Sequence, residues 1–168
     1  MDLITQPLNK RHEKKDFNCG YSLLDNYLKT QAKQEVSRDL SACFVLSNQN
    51  IVVGYYTLSS NSIERDEFPD DMSRKLPPSY ENLPGILLGR LAVDSRYQGK
   101  GYGEVLLFDA LKRCIEISYS LGSLAVMVDP IDTKAEKFYQ RYGFILFPGS
   151  RKMFIPLKTL RELFKDDI

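Results

Sequence analysis

Histidine is nearly missing from this sequence. Among 168 residues only His12 occurs, inside the charged run Lys10-Arg11-His12-Glu13-Lys14-Lys15. A Ser-His-Asp or Cys-His nucleophilic mechanism would have to rest on that one imidazole, and its charged neighbours predict a solvated surface residue instead. Cysteine is scarce too: Cys19, Cys43 and Cys114 are odd in number, scattered, and form no C-x-x-C pair. That argues against a structural zinc site and a disulfide framework, so no metal is expected. Reduced thiols without a signal-peptide pattern fit a cytoplasmic protein. No apolar run approaches the roughly 20 residues of a membrane span, and no membrane association is expected. An excess of either charge is also lacking, since 23 basic and 22 acidic side chains leave a formal net charge of +1. Net charge therefore gives no argument for nucleic acid, while leaving room for local basic patches.

What is present suits a single domain spanning 1–168, large enough to bury a core without staples. No internal repeat or long linker interrupts it. A strand is expected over Asp2–Leu8 and a helix over Tyr21–Arg38, with Leu23, Leu24, Tyr27, Leu28 and Val36 at helical spacing. Ala42–Leu46 and Ile51–Leu58 read as a hairpin across Ser47-Asn48-Gln49-Asn50. Residues 59–84 are polar and proline-rich, and predict a long loop. Ile86–Val93 is an almost wholly apolar strand. A helix over Gly101–Leu121, a strand at Leu124–Val128, a short helix at Thr133–Tyr142, strands at Phe144–Phe147 and Lys152–Ile155, and a helix at Leu157–Phe164 complete the chain. This order predicts an α/β (α+β) domain with a mixed sheet flanked by helices.

The strand–loop–helix from Ile86 to Leu121 carries the chemistry. Gln98-Gly99-Lys100-Gly101-Tyr102-Gly103 places three glycines at a helix start. Unpaired amides and positive partial charge gather there. Glycine lets the backbone approach closely and adopt positive φ, so the segment can cradle a phosphate. The G-x-G-x-G spacing matches neither the dinucleotide fingerprint nor the Walker loop; a merely tight strand–helix turn is the bland alternative.

Residues Leu91 to Gly103 resemble the acetyl-CoA motif [RQ]-x-x-G-x-[GA] of the GNAT N-acetyltransferase superfamily, with Gln98, Gly101 and Gly103 in its specified positions. Ala135-Glu136-Lys137-Phe138-Tyr139-Gln140-Arg141-Tyr142-Gly143-Phe144 is similar to that family's A-x-x-F-Y-x-x-x-G-F. The resemblance implies the GNAT fold, a mostly antiparallel sheet with splayed parallel strands at its centre, and acetyl-CoA as donor with coenzyme A as product. It implies cofactor contacts from Leu91, Ala92, Val93, Arg96, Gln98, Gly99, Lys100, Gly101, Tyr102, Gly103, Asp132, Ala135 and Phe138. An amide near Leu91 would polarise the thioester carbonyl, and Tyr139 would protonate the departing thiolate. Many members have asparagine near position 132; Asp132 departs from that, and N-capping of the following helix explains it equally well. Tyr142 reads as a helix-end aromatic. No general base stands out among Asp94, Glu64 and Asp129.

Further segments resemble one GNAT subgroup: Asp16-Phe17, Cys19-Gly20, Leu24-Asp25, Tyr27-Leu28, Val53 to Ser59, Leu87 to Asp94, and Met153 to Thr159. These look like toxins paired with ribbon-helix-helix antitoxins, which acetylate the α-amine of aminoacyl-tRNA. The implied partners are aminoacyl-tRNA and such an antitoxin, with a homodimer left open. Arg90, Lys134, Lys137 and Arg141 would face the RNA, and Lys10, Arg11, Lys14, Lys15, Arg74, Lys75, Arg151 and Lys152 form further basic clusters. Two other readings stay open. A GNAT enzyme acting on a small or protein amine would need an acidic acceptor pocket, for which Glu64, Asp66, Glu67, Asp70 and Asp71 are available. A non-catalytic acyl-CoA-binding module is the other.

Overall fold

A computed structural model of the chain describes Met1 and residues 3–167; Asp2, the start of the expected first strand, lies outside the described residues, as does Ile168. Seven strands form one sheet in the order β1-β2-β3-β4-β5-β7-β6. They are β1 (Gln6–Pro7), β2 (Ala42–Asn48), β3 (Ile51–Glu64), β4 (Asn82–Val93), β5 (Ala125–Val128), β6 (Ile145–Leu146) and β7 (Met153–Pro156). Helices are α1 (Ser22–Asn26), α2 (Ala32–Ser37), α3 (Asp70–Ser73), α4 (Tyr102–Ser118), α5 (Thr133–Arg141) and α6 (Leu157–Leu163). Only β4 and β5 pair in parallel, so the sheet is mixed and mostly antiparallel.

Two compact units share the chain: Met1–Ser59 with Leu88–Ala110, and Ser60–Leu87 with Leu111–Ile168. In the first unit, the β2–β3 hairpin turns at Gln49 and Asn50, both at positive φ (49° and 70°). That backbone matches the right-handed twist of the paired strands. Residues 52–58 of β3 are all buried, on both strand faces. Tyr55 gives its hydroxyl to the Leu24 carbonyl at 2.7 Å, and Tyr56 gives its hydroxyl to Asp109 at 2.6 Å, so neither buried phenol lacks a partner. Phe17, Tyr27, Leu28, Ala32, Val45, Val52 and Tyr55 form the core of this unit.

The expected single helix over 21–38 is instead α1, a π-helical turn at Tyr27–Gln31, and α2. A π turn inserts one residue into the 3.6-residue period. It brings Tyr27, Leu28 and Ala32 inward together while Leu23 is 72% exposed. His12 corrects a second expectation: it is buried, at 7% exposure. Glu13 pairs its backbone with Asn50 and Val52, which holds the neighbouring imidazole against the protein.

The second unit packs Ile63, Phe68, Leu83, Ala125, Met127, Phe147 and Phe154 together. Phe68 stands edge-on to Phe154 at 5.3 Å, and Phe147 lies 4.6 Å from Phe154. Such ring pairs add about 0.5–1.5 kcal/mol each beyond area burial. The expected 59–84 loop is largely ordered structure. β3 runs on to Glu64, a 3₁₀ turn covers Arg65–Glu67, and α3 follows. The Arg65 guanidinium organises the rest by donating to the carbonyls of Ser73 (3.0 Å), Leu76 (3.2 Å), Tyr80 (2.8 Å) and Pro77.

Candidate active site

The glycine loop leaves β4 through a braced corner in the first unit. Asp94 caps the 3₁₀ turn Ser95–Tyr97, accepting from the Arg96 amide at 2.9 Å and the Asn18 amide at 3.1 Å. The Arg96 side chain closes on the same carboxylate at 2.9 and 3.1 Å. Burial alone would raise the Asp94 pKa, but these donors outweigh it and hold the carboxyl below its ordinary value. Gln98 donates its side-chain amide to Cys19 O at 2.9 Å and Val93 O at 2.8 Å. Thus Arg96 and Gln98 fasten the loop to the 18–19 segment by side chains. Lys100 and Tyr102 flank the ring of Tyr97, at 5.7 Å and 6.1 Å.

Gly99 and Gly101 take φ of 76° and 85°, a region other residues enter at a cost of about 1–2 kcal/mol. A Cβ built on either would meet no atom within 4 Å. The conformation and the open space together form a cradle that a side chain would fill. Gly103 does not share the left-handed backbone expected of it, because it already lies in the first turn of α4. The first helical bond runs from the Val105 amide to Gly101 O at 3.1 Å, so the loop delivers the start of a 17-residue helix to the cradle. Leu91 and Val93 are half-buried and Ala92 is buried. The parallel register of β4 on β5 covers Gly85, Ile86 and Leu87, while β4 itself continues to Val93.

In the second unit, Asp132 caps α5 by accepting from the Ala135 amide at 2.8 Å. Its carboxylate therefore has the capping role that the departure from asparagine raised. Tyr139 is buried at 8% exposure. Its ring packs edge-on against Phe138 and Phe144, each at 5.3 Å. Burial pushes its phenol up, so it stays protonated throughout the physiological range. Gly143, at φ 96°, ends the helix and lets the Phe144 amide return to Tyr139 O at 3.2 Å. Tyr142 sits at the helix end, 5.2 Å from Phe138. Lys134, Lys137 and Arg141 are exposed on α5, with Ala135 and Phe138 half-buried. Three- and four-residue spacing puts the three cations on one face.

A family model described as an acetyltransferase (GNAT) domain matches residues 13–154. The chain belongs to the GNAT acetyltransferase family. It is similar to a tRNA-acetylating toxin of Mycobacterium tuberculosis (strain ATCC 25618 / H37Rv), with 35% identity over 151 residues and 89% of each chain covered. Among solved structures it resembles a tyrosine-to-phenylalanine mutant of KacT, at 30% identity and TM-score 0.90, covering 96% of this chain and 98% of that one. It also resembles AtaT complexed with acetyl-methionyl-tRNAfMet, at 28% identity and TM-score 0.87, with 96% and 98% covered. A tyrosine-to-phenylalanine AtaT mutant bound to the C-terminus of the antitoxin AtaR matches at 26% identity and TM-score 0.80, with 96% and 97% covered.

One cluster of this GNAT chain escaped the sequence reading. Arg90 lays its guanidinium 3.5 Å from the centre of the Tyr27 ring and pairs with Glu35 at 3.7 Å. Tyr27 donates its hydroxyl to the same carboxylate at 2.8 Å. Arg90 was singled out alone; its partners come from the interrupted helix more than fifty positions earlier, and no local pattern connects them. Of the candidate bases, Asp94 is fully engaged as a cap, and Glu64 is tied into a reciprocal capping box with Glu67. Asp129 is exposed.

Proposed function

We propose that this enzyme transfers the acetyl group of acetyl-CoA to the α-amine of the amino acid on aminoacyl-tRNA, and that a ribbon-helix-helix antitoxin neutralises it. The observation that carries this reading is the likeness to a tRNA-acetylating toxin over 89% of both chains, well beyond the cofactor motifs. Such a toxin acts in the cytoplasm, where charged tRNA is. The matched family model runs across both compact units, which supports a single acetyltransferase domain over 1–168.

The cradle at Gly99 and Gly101, with the start of α4, fits a pyrophosphate. In this reading, amides of residues 99–103 hold it, Lys100 adds a cation, and Leu91, Ala92 and Val93 offer strand backbone to the pantetheine arm. Arg96 and Gln98 act by fixing the loop. Asp132 and Ala135 begin α5 and, with Phe138, place Tyr139. Acetyl-CoA supplies an activated acetyl thioester. Tyr139 holds the proton that the departing thiolate needs, and its burial keeps that proton in place at neutral pH. An α-amine titrates near 8, so a useful fraction is already free base at neutral pH and no strong base is required. Arg90, Lys134, Lys137 and Arg141 are the proposed RNA contacts.

The test is incubation with radiolabelled acetyl-CoA and total charged tRNA. Label should enter charged but not deacylated tRNA. Tyr139→Phe should lower the rate by about 10²–10⁴ with cofactor affinity retained, and should relieve the growth arrest caused by the wild-type chain. Unlabelled tRNA combined with harmless expression would refute the reading. A second reading has one observation in its favour. Glu64, Asp66 and Glu81 line a cavity of about 500 Å³ with Arg65, Pro78 and Asn82, an acidic setting suited to a small cationic amine. Labelling of a polyamine in preference to tRNA would favour it.

A further inference from the structure

The first unit contains a second basic concavity that none of the proposed catalytic or cofactor residues line. It measures about 420 Å³ and is bounded by Leu8, Asn9, Lys10, His12, Lys14, Lys33, Val36 and Ser37. Lys10 and Lys14 come from the charged run, and Lys33 reaches it from α2. Among the described residues no carboxylate pairs with any of the three. Lys14 is half-buried and gives one proton to the Leu28 carbonyl at 2.9 Å. Burial and then the Lys33 charge lower its pKa, against a smaller upward pull from Cys43. His12 forms part of the wall. Its Nδ1 accepts the Asn9 amide at 3.0 Å, so the neutral ring carries its proton on Nε2 and offers a donor. Two aliphatic side chains, Leu8 and Val36, complete the lining. Unpaired ammonium groups crowded around a cavity repel one another, and an anion between them would relieve that repulsion.

We propose that this cavity is a phosphate site taking one nucleotide unit, with the phosphate among Lys10, Lys14, Lys33 and His12 and the aliphatic wall against sugar or base. The polynucleotide source rests on the proposed RNA substrate, where the site would hold a backbone phosphate remote from the reacting amine. A free nucleotide is the other source of the same chemistry.

The discriminating variant is Lys10→Glu/Lys33→Glu, which leaves the Lys14 tether intact. Unchanged acetyl-CoA affinity and melting temperature establish that it is folded. If RNA occupies the site, KM for charged tRNA rises about ten-fold with kcat unchanged. The slope of log affinity against log salt then falls by about two, one per lost cation. Lys10→Arg/Lys33→Arg keeps both values. If a free nucleotide occupies it, AMP binding followed by NMR is present in the wild type and lost in the glutamate variant, while RNA parameters hold. A folded glutamate variant with wild-type RNA kinetics, salt slope and AMP binding overturns the site. Should the wild-type chain label no tRNA at all, the proposed substrate falls, and the AMP measurement alone then decides the cavity.

Discussion

Replacing Gly101 by valine separates the cost of backbone strain from the cost of losing the cofactor. Gly101 has φ 85° and open space around its missing Cβ. No neighbour would be displaced, and the penalty in the free protein is the strain of a branched residue in the left-handed region. That is about 2 kcal/mol, or roughly 4–8 °C in melting temperature for a chain of this size. Gly149 offers a matched control: φ is 69° and nothing lies within 4 Å of its Cβ position, but it sits outside every proposed cofactor contact. Gly149→Val should lose similar stability.

The two variants should part company on binding. A valine at 101 occupies the cradle where phosphate must approach. Hydrogen bonds to a charged group contribute about 1.5–3 kcal/mol each, so loss of even one weakens acetyl-CoA affinity about 10- to 100-fold. Calorimetric titration with acetyl-CoA, beside thermal melts of both variants, reads the two effects separately. Wild-type affinity in a folded Gly101→Val protein would refute the placement of the pyrophosphate. Equal affinity losses in both variants would refute the claim that position 101 acts through the cradle.

Reversal of Lys134, Lys137 and Arg141 to glutamate should raise KM for charged tRNA and flatten its salt dependence while leaving acetyl-CoA affinity unchanged; unaltered kinetics would mark that helix face as merely solvated. Alkaline pH should destabilise the fold through its buried thiols. Burial pushes Cys19 to about 11 and Cys43 and Cys114 each to about 12, from 9.0 in the unfolded chain. A raised native pKa means the stabilising contribution is present below pH 9 and lost as pH climbs toward 11–12. At pH 10 each unfolded thiol gains about 1.4 kcal/mol relative to the native one, or about 4 kcal/mol for three. Urea unfolding at pH 8 and pH 10 measures this, and a Cys43→Ala/Cys114→Ala variant should show a clearly shallower fall; an identical fall would assign the effect elsewhere.

The devices legible in the sequence are those whose cause is local. Positive φ at Gly99 and Gly101, the cap at Asp132, the helix stop at Gly143 and the Asn50 turn each follow from what one residue type can do at one position. The Phe138-Tyr139 pair is local too, because residues on one helical turn share surroundings. What escaped depends on groups brought together across the chain. His12 reads as surface because its neighbours are charged, yet the pairing of Glu13 with Asn50 and Val52 turns it inward. Arg65 reads as one more cation in a polar loop, yet four backbone carbonyls converge on it. Residues 65–80 thereby fold without the apolar periodicity that would announce structure.

The π turn explains why the remaining omissions share one origin. A regular helix over 21–38 would distribute its inward positions at steady intervals. The inserted residue at Tyr27–Gln31 instead brings Tyr27, Leu28 and Ala32 inward together and changes which later side chains share a face. Glu35, beyond the turn, then meets Tyr27 and Arg90, while Lys33 and Val36 join the wall of the lysine cavity. Both clusters therefore depend on a backbone irregularity that has no residue signature of its own. Deleting one residue within the turn should restore α-helical spacing and disturb both clusters together. The resulting protein should lose the Tyr27–Glu35 hydrogen bond, seen as a fall in the phenol pKa by ultraviolet titration, while the glycine cradle more than sixty positions downstream still binds acetyl-CoA.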